Sequence, residues 1–281
     1  MLIATTNFVD SGTIPDHTTE QDSTYFSAEN LQSIQLGKSY IANSSSAAFV
    51  EFDFLQSRVI DVVAILKHNL NQTTGTVRIR IGNDDTFAST EYDSGVVAAW
   101  PTVEEFGYLA YGEFHWGGIL TAEAALDYPI SYYDVLDQAV QARYMRIDLA
   151  NGNDLIEVGR VFAGPSYRPT NEMGYGWEIS WVDPSRITRS RSGQTFVDIL
   201  PRYRVISFEL NGLPGAEIFH NVFNHMDRRK GISEDVLVIP QETDETTFIT
   251  QNIYGRQAEL NPVENRVLDH YARRIEVEEI I

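Results

Sequence analysis

RVIDVVAILKHNLNQTTGTVRIRIGNDDTF, residues 58–87, contains two kinds of β-strand. Val59–Leu66 (VIDVVAIL) is a nearly continuous apolar run with three valines and two isoleucines. Its length suits a fully buried strand better than a helix. Thr76–Gly82 (TVRIRIG) alternates instead, with Val77, Ile79 and Ile81 on one side and Arg78 and Arg80 on the other. That is the pattern of a strand with one buried face.

Outward from this stretch the same patterns recur. In Ala47–Phe54 (AAFVEFDF), Phe49, Glu51 and Asp53 alternate with Val50, Phe52 and Phe54. Tyr144–Leu149 (YMRIDL) alternates again, Asn151-Gly152-Asn153 reads as a turn, and Leu155–Phe162 is expected to follow as the partner strand. Further on, Gly176–Val182, Thr195–Leu200, Tyr203–Leu210, Val236–Ile239, Thr247–Tyr254 and Tyr271–Ile281 read as strands. The last of these, with alternating charge, is expected to be an edge that can add to a neighbour's sheet. One amphipathic helix is expected over Gly215–Lys230, where Ile218, Phe219, Val222 and Met226 recur at three- and four-residue steps, and Gly231 ends it. On that helix His220 and His225, five apart, would point to different faces. Gly164-Pro165-Ser166-Tyr167-Arg168-Pro169 punctuates the chain and predicts a boundary, giving domains 1–165 and 166–281. Charge shifts there as well: 22 acids stand against 8 bases before the boundary, and 18 against 13 after it.

The formal charge of −19 over 281 residues argues against a nucleic-acid partner, which needs clustered cations, and against adsorption to anionic membranes. It suits solubility, calcium, or a basic partner. The absence of cysteine excludes disulfides, thiolate metal sites and a cysteine nucleophile. No run approaches the ~18 apolar residues of a membrane span. Met1–Asp10 lacks a basic region followed by an apolar core, so no secretion signal is read there and folding in a cytoplasm is expected.

Nothing in the sequence forms a catalytic signature. There is no Gly-x-Ser-x-Gly elbow and no His-Glu-x-x-His pair. A glycosidase would need two acids at a fixed separation, and Glu104, Glu105, Glu113, Glu123 and Asp127 lie where a sugar could stack, but spacing in space is not legible in sequence. Gly82-Asn83-Asp84-Asp85, and Asn151 with Asn153 and Asp154, resemble fragments of calcium loops without the full ligand spacing; the other reading of each is a turn. Tyr92–Tyr133 is rich in aromatics and glycines. Within it Trp100, Tyr108, Tyr111 and Trp116 suit either an apolar sugar platform or a core and interface role. Arg186, Arg189, Arg191, Arg202 and Arg204 form a local basic group in an acidic chain, read either as a docking face for an acidic neighbour or as a solvated loop.

Two long stretches carry a family resemblance. RVIDVVAILKHNLNQTTGTVRIRIGNDDTF (58–87) and ARYMRIDLANGNDLIEVGRVFAGP (142–165) resemble a jelly-roll sandwich of the discoidin or galactose-binding type. The pattern is similar to that of structural proteins of long-tailed bacteriophages, and Trp177-Glu178 with SRSGQTFVDILPRYRVISFEL (190–210) resembles their C-terminal part. The resemblance implies a mainly β chain: an N-terminal jelly-roll β-sandwich and a smaller C-terminal β domain with one short helix. It implies a non-enzymatic virion component of the tail tip or baseplate, made in the host cytoplasm. Its partners would be other tail proteins and copies of itself; a host surface glycan is a candidate ligand from the aromatic section, apart from the resemblance. A carbohydrate-binding module is the alternative function, and a polysaccharide-degrading enzyme stands behind both.

Overall fold

The computed structural model describes the chain except residues 16–18, 20–24, 101–129, 153, 175 and 243–250. It is mainly β, with antiparallel sheets and one helix longer than a few residues. The chain divides into two compact units. The sandwich unit holds Thr6–Ser166 and Gln241–Gln251, and the sheet unit holds Met1–Thr5, Tyr167–Pro240 and Asn252–Ile281. The first strand, β1 (Leu2–Ala4), thus lies in the sheet of the chain's second half, paired with a strand more than two hundred residues away.

The sandwich unit contains β2 (Tyr40–Ile41), β3 (Ala48–His68), β4 (Gly75–Gly82), β5 (Tyr92–Asp93), β6 (Val97–Ala98), β7 (Ser131–Asn151) and β8 (Glu157–Gly164). The two strands expected at Ala47–Phe54 and Val59–Leu66 are one 21-residue strand, β3. A register break between Asp53 and Arg58 bends it, and Leu55 takes up the bend at φ 64° with its N–H held by Asp53 Oδ1 at 2.7 Å. Alternation before the break and a continuous run after it therefore describe two environments of one strand. Its first half pairs with β7, which pairs onward with β4, and is bridged on its other edge at Asp53 by Thr13. Its second half is flanked by β7 on one side and β8 on the other. Leu155–Phe162 was expected to pair with Tyr144–Leu149; β8 pairs instead with β3 and β2, because both edges of that part of β7 are already taken by β3 and β4. The inward side chains of both halves, including Val50, Phe52, Ile60, Ile65, Ile79 and Ile147, form a single core.

The sheet unit holds β1 with β9 (Ser166–Tyr167), β10 (Glu178–Val182), β13 (Tyr203–Pro214), β14 (Asp235–Ile239), β15 (Ile253–Gln257), β16 (Glu264–Val267) and β17 (His270–Glu279). The order is β10-β13-β17-β15-β14-β1-β9, with β16 also on β17. The C-terminal strand is therefore interior, correcting the expectation of an edge: β13 pairs along one side of it, β15 and β16 along the other. The exposed edge is β10, where Ile179 and Trp181 face solvent. The strand expected from Thr247 begins at Ile253 among the described residues.

The expected helix is present with a different winding. A single α turn (Gly215–Glu217) leads into a π-helix (Ile218–Lys230), and Gly231 N–H closes it on the Met226 carbonyl, five residues back, at 3.0 Å. Ile218, Val222 and Met226 are buried against the sheet, whereas Phe219, expected in the same stripe, is exposed and meets the Tyr271 ring edge-on. Four-residue steps fit the looser turn; the three-residue step does not.

Arg204 pairs with Glu279 between β13 and the end of β17, its Nε donating to Oε2 at 3.0 Å and its Nη2 donating to the Asn252 carbonyl, with both side chains nearly buried. Removing one member of a buried pair strands the other. Glu279→Ala is expected to cost about 3–5 kcal/mol in urea unfolding, and the double replacement R204M/E279M markedly less than that single change.

Candidate binding surfaces

The outward face of the sandwich is built by register. Glu51, Arg146 and Arg80 stand side by side across β3, β7 and β4, and Phe49, Asp148 and Arg78 form the adjacent row. Each is the polar or aromatic alternate of a strand whose other side chains fill the core. Two adjacent arginines would repel, and the carboxylates resolve this. Arg146 donates to Glu51 Oε1 at 2.9 Å and to Asp148 Oδ1 at 2.8 Å, and Arg80 donates to Asp148 Oδ2 at 2.7 Å. The Arg146 guanidinium also lies 3.9 Å from the centroid of the Phe49 ring. Arg78 pairs with Asp93 on β5 at 2.6 Å and holds that carboxyl down at about 2. Phe49, Arg78, Arg80, Arg146 and Asp148 line a shallow groove of about 300 Å³ beside the exposed Val96. It presents fixed donors and acceptors in a plane next to an aromatic ring, an arrangement that can hydrogen-bond a polyhydroxyl ligand. The sequence marks these residues only as the outward half of their strands; their union into one surface needs the strand order.

Of the aromatic candidates, Tyr108, Tyr111 and Trp116 lie outside the described residues, as do Glu104, Glu105, Glu113, Glu123 and Asp127. Trp100 is partly buried against the sandwich core. Its indole N–H donates to the Leu70 carbonyl at 2.7 Å, and its ring meets the buried His68 edge-on at 6.2 Å. Its polar handle is used by the backbone, so its removal would disturb the core as well as any surface.

The arginine candidates separate. Arg186, Arg189 and Arg191 belong to a hairpin, β11 (Arg186–Arg189) and β12 (Thr195–Asp198), whose residues are all exposed. Arg202 pairs with Asp183 at the base of the same segment at 2.9 Å. Arg204, expected to dock a partner, is buried in the pair with Glu279 and belongs to the sheet. Register puts Ile187 opposite Val197 and Thr188 opposite Phe196. Ile187, Phe196, Val197 and Ile199 are 54% to 82% exposed, on a two-stranded arm without a core of its own.

The turn residues read as calcium-loop fragments serve their own loops. Asp84 accepts hydrogen bonds from the Thr86 and Ala88 N–H groups, and Asn83 donates to the Gln141 carbonyl. Asn151 accepts from Asn71 N–H and donates to the Leu155 carbonyl; Asn153 lies outside the described residues. Among the described residues no group of three or more His, Asp or Glu is close enough to hold a metal ion. Two features were not legible in sequence. Asp134 on β7, raised by burial, accepts the Tyr92 hydroxyl at 2.9 Å. His220 and His225, expected on different faces, line one cavity, because a π turn brings residues five apart into line.

No protein-family model matches the chain, and no curated protein matches it. Solved structures similar to it include a CBM32 module, CpGH89CBM32-6, produced by Clostridium perfringens (16% identity, TM-score 0.37, 56% of this chain and 98% of that one). A fucolectin from striped bass (Morone saxatilis) serum is 13% identical, with a TM-score of 0.40, over 76% of this chain and 75% of that one. The lectin domain of lectinolysin, complexed with Lewis B antigen, is 11% identical, with a TM-score of 0.39, over 58% and 98%. Each is described as a lectin or a CBM32 module.

His68, at the end of β3 against Trp100, gives a test of the sandwich core. Burial lowers its pKa to about 3, and its Nδ1 accepts the Leu70 N–H at 3.3 Å. Below about 6.5 the unfolded chain takes up a proton that the folded chain refuses, so stability falls as pH drops through that value toward 3. In urea titrations at pH 7, 6 and 5, His68→Leu is expected to lose less stability with acid than the wild type, by up to about 1.4 kcal/mol per pH unit.

Proposed function

We propose that the chain is a non-catalytic structural protein that acts in several copies, as a tail-tip or baseplate component of a tailed bacteriophage. It would be made in the host cytoplasm and carried in the virion tail, with other tail proteins and copies of itself as partners. The observation that carries the reading is the β11–β12 arm. A two-stranded hairpin with apolar side chains on both faces is marginal in water and gains stability when another surface covers it. The arm and its base hold four arginines against two aspartates (residues 183–202) in a chain of net charge −19. A second copy of this chain therefore offers a complementary surface, and a contact between unlike patches closes rings or builds stacks. Replacing residues 185–200 by a short Gly-Ser linker is expected to reduce a multi-copy species to monomer in light scattering after size exclusion. A wild-type chain that is monomeric at every concentration, or an arm-less chain that assembles equally well, would overturn the reading.

A second reading, recognition of a surface glycan by the sandwich, is favoured by the groove of Phe49, Arg78, Arg80, Arg146 and Asp148. On a glycan array F49A and R146A are expected to weaken any specific signal by about tenfold or more, as loss of a charge-assisted or stacking contact does. An array with no signal, or a signal that both variants keep, removes this reading and leaves assembly standing.

A further inference from the structure

The π-helix Ile218–Lys230 carries a polar feature that the assembly reading does not use. On an α-helix, residues three and four apart share a face; with i→i+5 bonding, residues four and five apart do. His220, Asn224, His225, Arg228 and Arg229 are linked throughout by steps of four and five, and together they line a cavity of about 570 Å³. On an α winding of the same sequence His220 and Arg229 would fall on opposite sides of the helix, so the π winding narrows the stripe.

The charge on this stripe is uncompensated. Asp227, the acid between these residues, turns to the buried Arg273, and Glu234 pairs with Lys230 at 3.5 Å. Among the described residues neither Arg228 nor Arg229 has a carboxylate partner, although acids outnumber bases nearly two to one in the chain. His225 is fixed from another element, its Nδ1 lying 3.2 Å from the Thr5 hydroxyl. Cations in the last turn complement the helix dipole, which accounts for Arg228 and Arg229 being tolerated there. It does not account for two histidines and an amide aligned with them around one cavity.

We propose that this cavity is an oxyanion site that takes a tetrahedral group of the sulfate or phosphate class. Two guanidiniums supply fixed charge and forked donors, and the imidazoles and the Asn224 amide supply further donors. Burial and the neighbouring Arg229, Lys230 and His220 hold His225 below its ordinary pKa. An anion in the cavity offsets that positive surrounding, so binding takes up a proton.

The test is calorimetric titration of the full chain with sodium sulfate at pH 6 in low chloride, repeated in two buffers of different ionisation enthalpy. Sulfate does not titrate in this range, so proton uptake reports the protein. Saturable one-site binding with proton uptake is expected. R228A/R229A, at exposed positions, should weaken it by about tenfold or more, while the hairpin variant R189A/R191A should leave it unchanged. Circular dichroism of both variants checks the fold. Binding that does not saturate, or that falls equally in both variants, overturns the site and reduces the patch to diffuse charge. A parallel titration with methyl phosphate separates the sources. Affinity for the ester matching that for sulfate assigns a group carried on a larger molecule, and binding of sulfate alone assigns the free ion.

Discussion

The backbone of Val62–Leu66 is hydrogen-bonded on both sides, to β7 and to β8, and its side chains are buried on both faces. A strand in that position tolerates no polar alternate and no break in pairing. Everything around it follows. The layer that includes β4 lies on the other side of the register break at Asp53/Arg58, because β4 pairs with the part of β7 that flanks Ala48–Asp53. The outward ladder of Glu51, Arg146 and Arg80 exists because β3 and β7 leave that layer's far face open to solvent. A charge placed at Val63 or Ile65 would remove the common wall of the whole unit, whereas one at Leu55 would fall on an exposed bend.

Period-two alternation and apolar runs are local signals, and they located most strands of both units. What they could not convey is partnership. Leu155–Phe162 is a strand as read, but its neighbours are β3 and β2, because pairing is decided by which edges remain free. Tyr271–Glu279 looks like an edge, since charged residues alternate along it, yet it lies between β13 and β15 with its charges on the sheet's polar face or in pairs. The helix shows the same limit. Its buried stripe was legible, but the number of residues per turn was not, and that number decides whether His220 and His225 meet. Arg204 and Arg202 are two residues apart, and only the structure separates a buried pair from a solvated one.

The two units handle charge differently. On the sandwich, arginines and carboxylates interlock within and between adjacent rows, so the groove is ordered without a net field. On the sheet unit the hairpin and the helix stripe hold cations that local acids do not neutralise, even though the chain as a whole is strongly acidic. Fixed positive patches on a negative body favour contacts with unlike surfaces and disfavour random self-contact between the acidic parts.

The pairing of β1 with β14, next to β9, has a consequence for how the molecule is made. The sandwich is an insertion: the chain leaves one strand of the sheet, builds a separate body, and returns on the adjacent strand. Two neighbouring strands are the natural attachment points for such a guest, because a short splice between them would restore an uninterrupted host. During synthesis Thr6–Ser166 of the guest emerges before most of the host and can fold first, as domains do. β1 can meet β9 once Ser166–Tyr167 has emerged, but its pairing with β14 must wait until Asp235–Ile239 has left the ribosome.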